Sequence, residues 1–302
     1  MRDGVRTIPG FTFAILLAMA GAARPTQARP LDQEPSPAPA SKATVKTAAA
    51  KSADIPFVAS EPQAEEQLFQ LANQARRQAG AAPLTLDAGL SEAARRHAQA
   101  MLDAHQLSHQ LDGEPSLPQR LAIATELLLD EEAENIALDL DPQRGHEHLM
   151  QSPPHRANLL NSTYNVVGLG VVRGGDRLYI VEDFGHSLPE YSATDLKDRI
   201  AGAVNRTRGA ASQPPLERRD LLIADEVACS MAQADKLGTA PVHKLAERFT
   251  VLTYTGQNPE TLPDSATRAL ASRSPRSFSI GACFARTETY PLGIYWVVLT
   301  LE

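Results

Sequence analysis

From residue 61 onward the chain alternates between hydrophobic patterns of helical and of strand period, and these lay out two successive units. Leu68, Leu71, Ala72 and Ala75 fall on one stripe and predict a helix over residues 65–78, closed by Gly80. After a short link through Pro83, Asp87 is placed to cap a second helix that runs to about residue 105, with Leu90, Ala94, Ala98, Met101 and Leu102 inward. Residues 116–129 read as loop plus a short helix after Pro118, and residues 132–137 as an extended segment. A third helix is predicted over 142–150 and a fourth, shorter one over 152–160. Residues 165–172 form a strand, Gly174-Gly175-Asp176 a turn, and residues 177–184 the hairpin partner. Helices first and an antiparallel hairpin last indicate an α+β unit rather than a wound parallel sheet.

The scheme then repeats. At an offset of 132 residues Asn73 falls on Asn205, Arg76 on Arg208, Pro83 on Pro215, Leu84 on Leu216, Leu90 on Leu222 and Asp103 on Asp235. Near the far end Val167-Gly168-Leu169-Gly170 resembles Ile280-Gly281-Ala282-Cys283. The middle does not match, and no counterpart of Glu134 or His155 is visible. The expected layout is therefore a globular domain over 61–190 and a degenerate second copy over 191–302. Ahead of them, residues 1–28 read as a secretory signal: Arg2 and Arg6, a short apolar run over 11–20, then small residues. Residues 29–60 are rich in Pro, Ala, Ser and Lys and read as a disordered linker.

A length of 302 residues agrees with about two domains. Hydrophobic content of 43% and charged content of 22% suit ordinary globular cores. The formal net charge is -7, and the signal segment holds three arginines against one aspartate, so the rest is more acidic still. That balance excludes nucleic acid and anionic lipid surfaces as natural partners. The signal's apolar run is too short for a comfortable span, so no transmembrane domain is expected after its removal. Cys229 and Cys283 are the two cysteines. They could form one disulfide in an oxidising compartment or remain buried thiols.

The candidate chemistry gathers at two stretches, residues 132–137 and 152–160, preceded by His109. Glu126, Asp130, Glu131 and Glu132 read as a solvated acidic run. Glu134 differs, because Ile136, Ala137 and Leu138 follow it, so its carboxylate should be partly buried and partnered. Asn135 adds an amide able to bridge two backbone segments. His155 follows Pro153-Pro154, which preset the backbone that aims it, and Arg156 can fork onto a carboxylate such as Glu134 or Glu132. A carboxylate and two imidazoles suit a divalent cation or a proton-transfer pair. His146-Glu147-His148-Leu149-Met150 fails the zincin pattern at Met150 and reads as a solvated helix face.

In order and spacing, NQARRQAGAAPL, ARRHAQAM, LSH, AENIA, SPPHRANLL, VGLGVV and YIVEDFG resemble the CAP superfamily in its compact bacterial form. This is the SCP-domain family of cysteine-rich secretory, antigen 5 and pathogenesis-related proteins. The resemblance implies a three-layer α-β-α sandwich with a central antiparallel sheet, followed here by a degenerate CAP-like repeat. It also implies a cleft of two His and two Glu, of which His109, Glu134 and His155 match three. Leu149 stands where the family has Trp and Ser152 near its second Glu, so the metal site would be incomplete. The resemblance points to a secreted or periplasmic protein. Its cleft would bind a divalent cation such as zinc, or a small-molecule, lipid, peptide or cell-wall-derived ligand, without catalysis. Two alternatives stay open: a metal- or His-dependent hydrolase, in which His109, Glu134 or His155 would be catalytic, and a structural or interaction module.

Overall fold

The computed structural model describes residues 15–17, 60–272 and 274–302. The expected linker lies outside the described residues apart from Ser60, and of the expected signal only Ile15–Leu17 (β1) is described.

The first unit opens with α1 (Pro62–Gln78), three residues earlier than its apolar stripe suggests, with proline in the first turn. A two-residue strand, β2 (Thr85–Leu86), leads to α2 (Ala88–Ala104). The Asp87 carboxylate accepts from Leu90 N at 2.8 Å, the expected cap. His105 takes a left-handed φ of 51° and ends the helix, so His109 lies in the loop beyond it. Then come α3 (Leu117–Ala124), β3 (Leu128–Asp139), α4 (Pro142–Gln151), α5 (Pro153–Leu160) and the hairpin β4 (Val166–Gly174) and β5 (Arg177–Leu188). The sheet order is β2-β4-β5-β3; the three long strands are antiparallel, and β2 joins in parallel.

Strand alternation divides the core into two faces. Val167, Leu169 and Val171 of β4, with Leu178, Ile180 and Phe184 of β5, pack beneath α1, α4 and α5. Val172, Tyr179, Val181 and Ile136 pack beneath α2. The result is the α-β-α sandwich. A Cβ on Gly170 would overlap the backbone of Ala94 and Arg95, so glycine there lets α2 lie directly on the sheet.

The second unit runs through α6 (Ala193–Ala210), β6 (Glu217–Arg218), α7 (Ile223–Gln233), α8 (Ala240–Ala246), β7 (Thr250–Gly256), α9 (Asp264–Ala271), β8 (Ser277–Ala285) and β9 (Ile294–Leu301). Its strand order, β6-β8-β9-β7 with β1 at the edge, has the connectivity and the parallel first pair of the first sheet. A single helix, α9, stands where the first unit has α4 and α5.

Duplication extends to a shared buried device. Arg76 is fully buried; its Nε donates to Ala82 O at 2.7 Å, Nη1 to Leu159 O and Asn161 O at 2.9 Å each, and Nη2 to Tyr164 O at 2.9 Å. Arg208, also buried, donates from Nε to Pro214 O at 2.9 Å and from Nη1 to Leu270 O at 2.7 Å and to Ser272 O. The constant offset fails further on, since Leu90 is wholly buried whereas Leu222 is 90% exposed. Ser91 Oγ accepts from Leu169 N, and Asp225 Oδ1 accepts from Ala282 N. Helix α7 thus sits two residues out of step with the expected alignment. Cys229 of α7 and Cys283 of β8 form a disulfide.

Candidate functional site

β3 is the edge strand of the first sheet, and the site is built around it. Glu134 pairs across the ladder with Asp183, and Asn135 with Glu182. Alternation sends Glu134 and Asp183 to the α2–α3 face, and Asn135 and Glu182 to the α1–α5 face.

On the first face Glu134 is 7% exposed and fully engaged. Its Oε1 lies 2.8 Å from His109 Nδ1 and its Oε2 2.5 Å from Arg120 Nη2. A carboxylate only accepts, so His109 Nδ1 carries the proton and Nε2 is the free nitrogen of a half-exposed ring. Arg120 Nη1 also reaches His109 O and Pro115 O at 3.3 Å each, tying the His109 loop to α3. His97, wholly buried, places Nδ1 2.7 Å from Glu114 Oε1 and Nε2 3.0 Å from Ser108 O. Asp183 is wholly buried and neither of its oxygens has a partner. Burial and the neighbouring Glu134 charge push its carboxyl well above the usual carboxylate range, against the pull of Arg120.

On the second face Asn135 Nδ2 donates to His155 O and to Glu182 Oε2, each at 3.1 Å, and its Oδ1 accepts from Asn158 Nδ2 at 3.0 Å. The amide bridges two backbone segments, as its position beside Glu134 suggested, and anchors the turn of α5 that carries His155. Burial raises Glu182 to about 7, partly opposed by the Asn135 hydrogen bond.

The two faces meet past the β3 edge, where the ring centroids of His109 and His155 lie 6.4 Å apart at 44°. His155 titrates below an ordinary imidazole because of burial and the His109 charge, so it stays neutral to lower pH. Arg156 is exposed and forms no ion pair with a described carboxylate; Arg120 takes the partner expected for it. Among the described residues, no group of three or more His, Cys, Asp or Glu side chains is arranged to hold a metal ion.

The helix face at 146–148 is not simply solvated. His146 is buried with Nδ1 unpartnered, because α4 packs against α1, while Glu147 and His148 are exposed, His148 Nδ1 lying 2.5 Å from Asp139 Oδ2. Asp130 likewise leaves the solvated run to hold His186 at 2.7 Å. His97, Glu114, Arg120, Asn158, Glu182 and Asp183 are site residues that sequence reasoning passed over. Two acids inside the apolar run at 178–184 were the readable signal for the last two.

In the second unit the same rungs are emptied of this chemistry. Gly168–Asp183–Glu134 becomes Gly281–Val298–Thr253, and Leu169–Glu182–Asn135 becomes Ala282–Val297–Tyr254. Four residues before the arginine-bound helix carbonyl stands His155 in α5 but the buried Ala266 in α9. An open cavity of about 570 Å³ lies beside the disulfide, and neither His109 nor His155 lines it. No described helix is long and apolar enough to cross a membrane.

Residues 69–184 match the family described as CAP, the cysteine-rich secretory protein family. The chain is 31% identical over 112 residues to the uncharacterised protein YkwD of Bacillus subtilis strain 168, a match covering 37% of this chain and 43% of the relative. The chain therefore spans less than half the length of that curated relative. An extracellular SCP-domain protein of Bacillus anthracis Ames is 26% identical at a TM-score of 0.38, over 42% of this chain and 41% of that one. Na-ASP-1 is 8% identical at a TM-score of 0.47, over 82% of this chain and 91% of that one. Residues 69–184, the body of the first unit, are thus similar to the CAP family of cysteine-rich secretory proteins.

Proposed function

We propose that this protein is a secreted or periplasmic binding protein whose first unit captures a divalent cation of the zinc type between His109 and His155. One observation carries the reading: Glu134 fixes His109 through Nδ1, leaving Nε2 free beside a second, neutral imidazole. A carboxylate behind a histidine is the usual outer partner of a metal-ligating imidazole. Both oxygens of Glu134 are already taken by His109 and Arg120, so Glu134 orients a ligand and is not itself one. Two imidazoles are fewer than the four protein ligands of a closed zinc site. When bound, the cation would supply open positions for oxygens of a small-molecule, lipid, peptide or cell-wall-derived ligand. The disulfide supports an oxidising compartment.

Calorimetric titration of the full chain with zinc tests this. One site is expected, with affinity falling about 10–100-fold in Glu134→Gln and further in His109→Ala and His155→Ala. Equal binding by all four proteins would remove the assignment. The same Glu134–His109 bond also suits an oriented general base on water, a hydrolase reading. Turnover of a peptide and ester library that disappears in His109→Ala would favour it over non-catalytic binding.

A further inference from the structure

We propose that the second repeat, stripped of its own site, serves as a clamp for the site of the first, with Arg286 as its positioning residue; this rests on the His109 cleft being the functional site. Arg286 follows β8 directly. Its Nη1 donates to Ala122 O at 2.7 Å and its Nη2 to Leu127 O at 3.2 Å. Ala122 lies in the last turn of α3, where carbonyls have no partner within the helix and where a cation is favoured by the helix dipole. Leu127 immediately precedes β3. One guanidinium from the second unit thus caps α3 and joins its end to the start of the strand that bears Glu134.

Other contacts fix the same stretch. Gln257, just past β7, donates from Nε2 to Leu129 O at 3.3 Å. Leu292 packs with Leu90, Ala93, Leu121 and Leu129 of the first unit, and Leu128 is buried in the second unit's own core. The held segment begins two residues after Arg120. Arg120 binds the Glu134 carboxylate and the His109 carbonyl together, so a shift of α3 moves both ends of the Glu134–His109 bond. The end of α3 is held from both sides: within the first unit Thr125 Oγ1 donates to Asp87 Oδ1 at 3.2 Å and Leu121 packs on Leu90 and Ala93, and the second unit adds the Arg286 contacts to Ala122 O and Leu127 O. This gives the degenerate copy a role that explains the loss of its histidines and acids together with the retention of its fold.

The test uses the full chain labelled with ¹⁵N-histidine, and reads the His109 tautomer by NMR. The wild type is expected to hold His109 as the Nδ1–H tautomer, against the usual imidazole preference for Nε2–H. Arg286→Ala should convert about half or more of His109 towards Nε2–H while the amide spectrum remains folded, and Arg286→Lys should restore part of the wild-type signature. Val227→Ala, which trims the second unit's own core, should lower the melting temperature and leave the tautomer unchanged. An unaltered tautomer in Arg286→Ala, or an equal change in Val227→Ala, overturns the inference. If Arg286→Ala does not fold, Gln257→Ala is read in the same way: a partial change supports the clamp and no change removes it. Zinc takes no part in this measurement. A protein that binds no cation can still show the clamp, and the two readings fail separately.

Discussion

Glu182 is the residue with the plainest physical signature. It is wholly buried, and among the described residues one of its oxygens has no partner and the other accepts from Asn135. Unfolded, it titrates near the ordinary 4.5; folded, it keeps its proton to about 7. The native state therefore holds the extra proton between those values. The associated stability is complete below about pH 4.5 and is lost as pH rises through about 7, a span worth about 3 kcal/mol. Glu182→Gln keeps an acceptor for Asn135 and cannot ionise. It should leave stability unchanged at pH 4.5, raise it by up to about 3 kcal/mol at pH 8 and flatten the slope between. Urea denaturation at several pH values checks this, and an unchanged slope would show that Glu182 is charged in the native state. Asp183, across the sheet, also resists ionisation, and its cause is the Glu134 charge as well as burial.

At the scale of elements, the buried arginine of each unit does the same work. Arg76 joins the end of α1 to the loop after it and to the end of α5; Arg208 does so for α6 and α9. Replacing either by methionine keeps apolar volume but strands several buried carbonyls. Each substitution should cost about 3–5 kcal/mol by thermal or chemical denaturation. Arg76→Met should in addition disturb His155, which rides on α5, whereas Arg208→Met should not. Elements were legible in the sequence where local chemistry decides them: the Gly174-Gly175 turn, the Asp87 cap and the prolines opening α4 and α5. β3 was read only over its centre, because its flanks, from Leu128 and out to Asp139, are strand by virtue of pairing with β5. That pairing is long-range and leaves no local mark.

For the whole molecule, three residues marked by the family motifs, His109, Glu134 and His155, lie at one sheet edge, with His109 Nδ1 2.8 Å from Glu134 Oε1 and the two imidazole rings 6.4 Å apart. What the motifs did not contain was the partner set. Arg120 reaches Glu134 because α3 folds back over β3, whereas a reading along the chain gives that role to Arg156, which stands inside the motif beside His155 and is exposed. The duplication was visible at Arg76 and Arg208, but slipped by two residues in α7, where the contact with the sheet and not the spacing of leucines sets the register. The clamp through Arg286 joins residues far apart in sequence and had no sequence signal. A duplicated fold in which one copy carries the chemistry and the other steadies it is the account that joins these observations.

Its central claim is that His109 and His155 form one binding centre. The most direct measurement is zinc titration of the ¹⁵N-histidine-labelled full chain, following every imidazole at once. The expected result is that His109, through Nε2, and His155 shift together along one saturation curve, while His148 and His186 stay still. Saturating zinc that leaves both cleft rings unmoved, or moves them on separate curves, would contradict it.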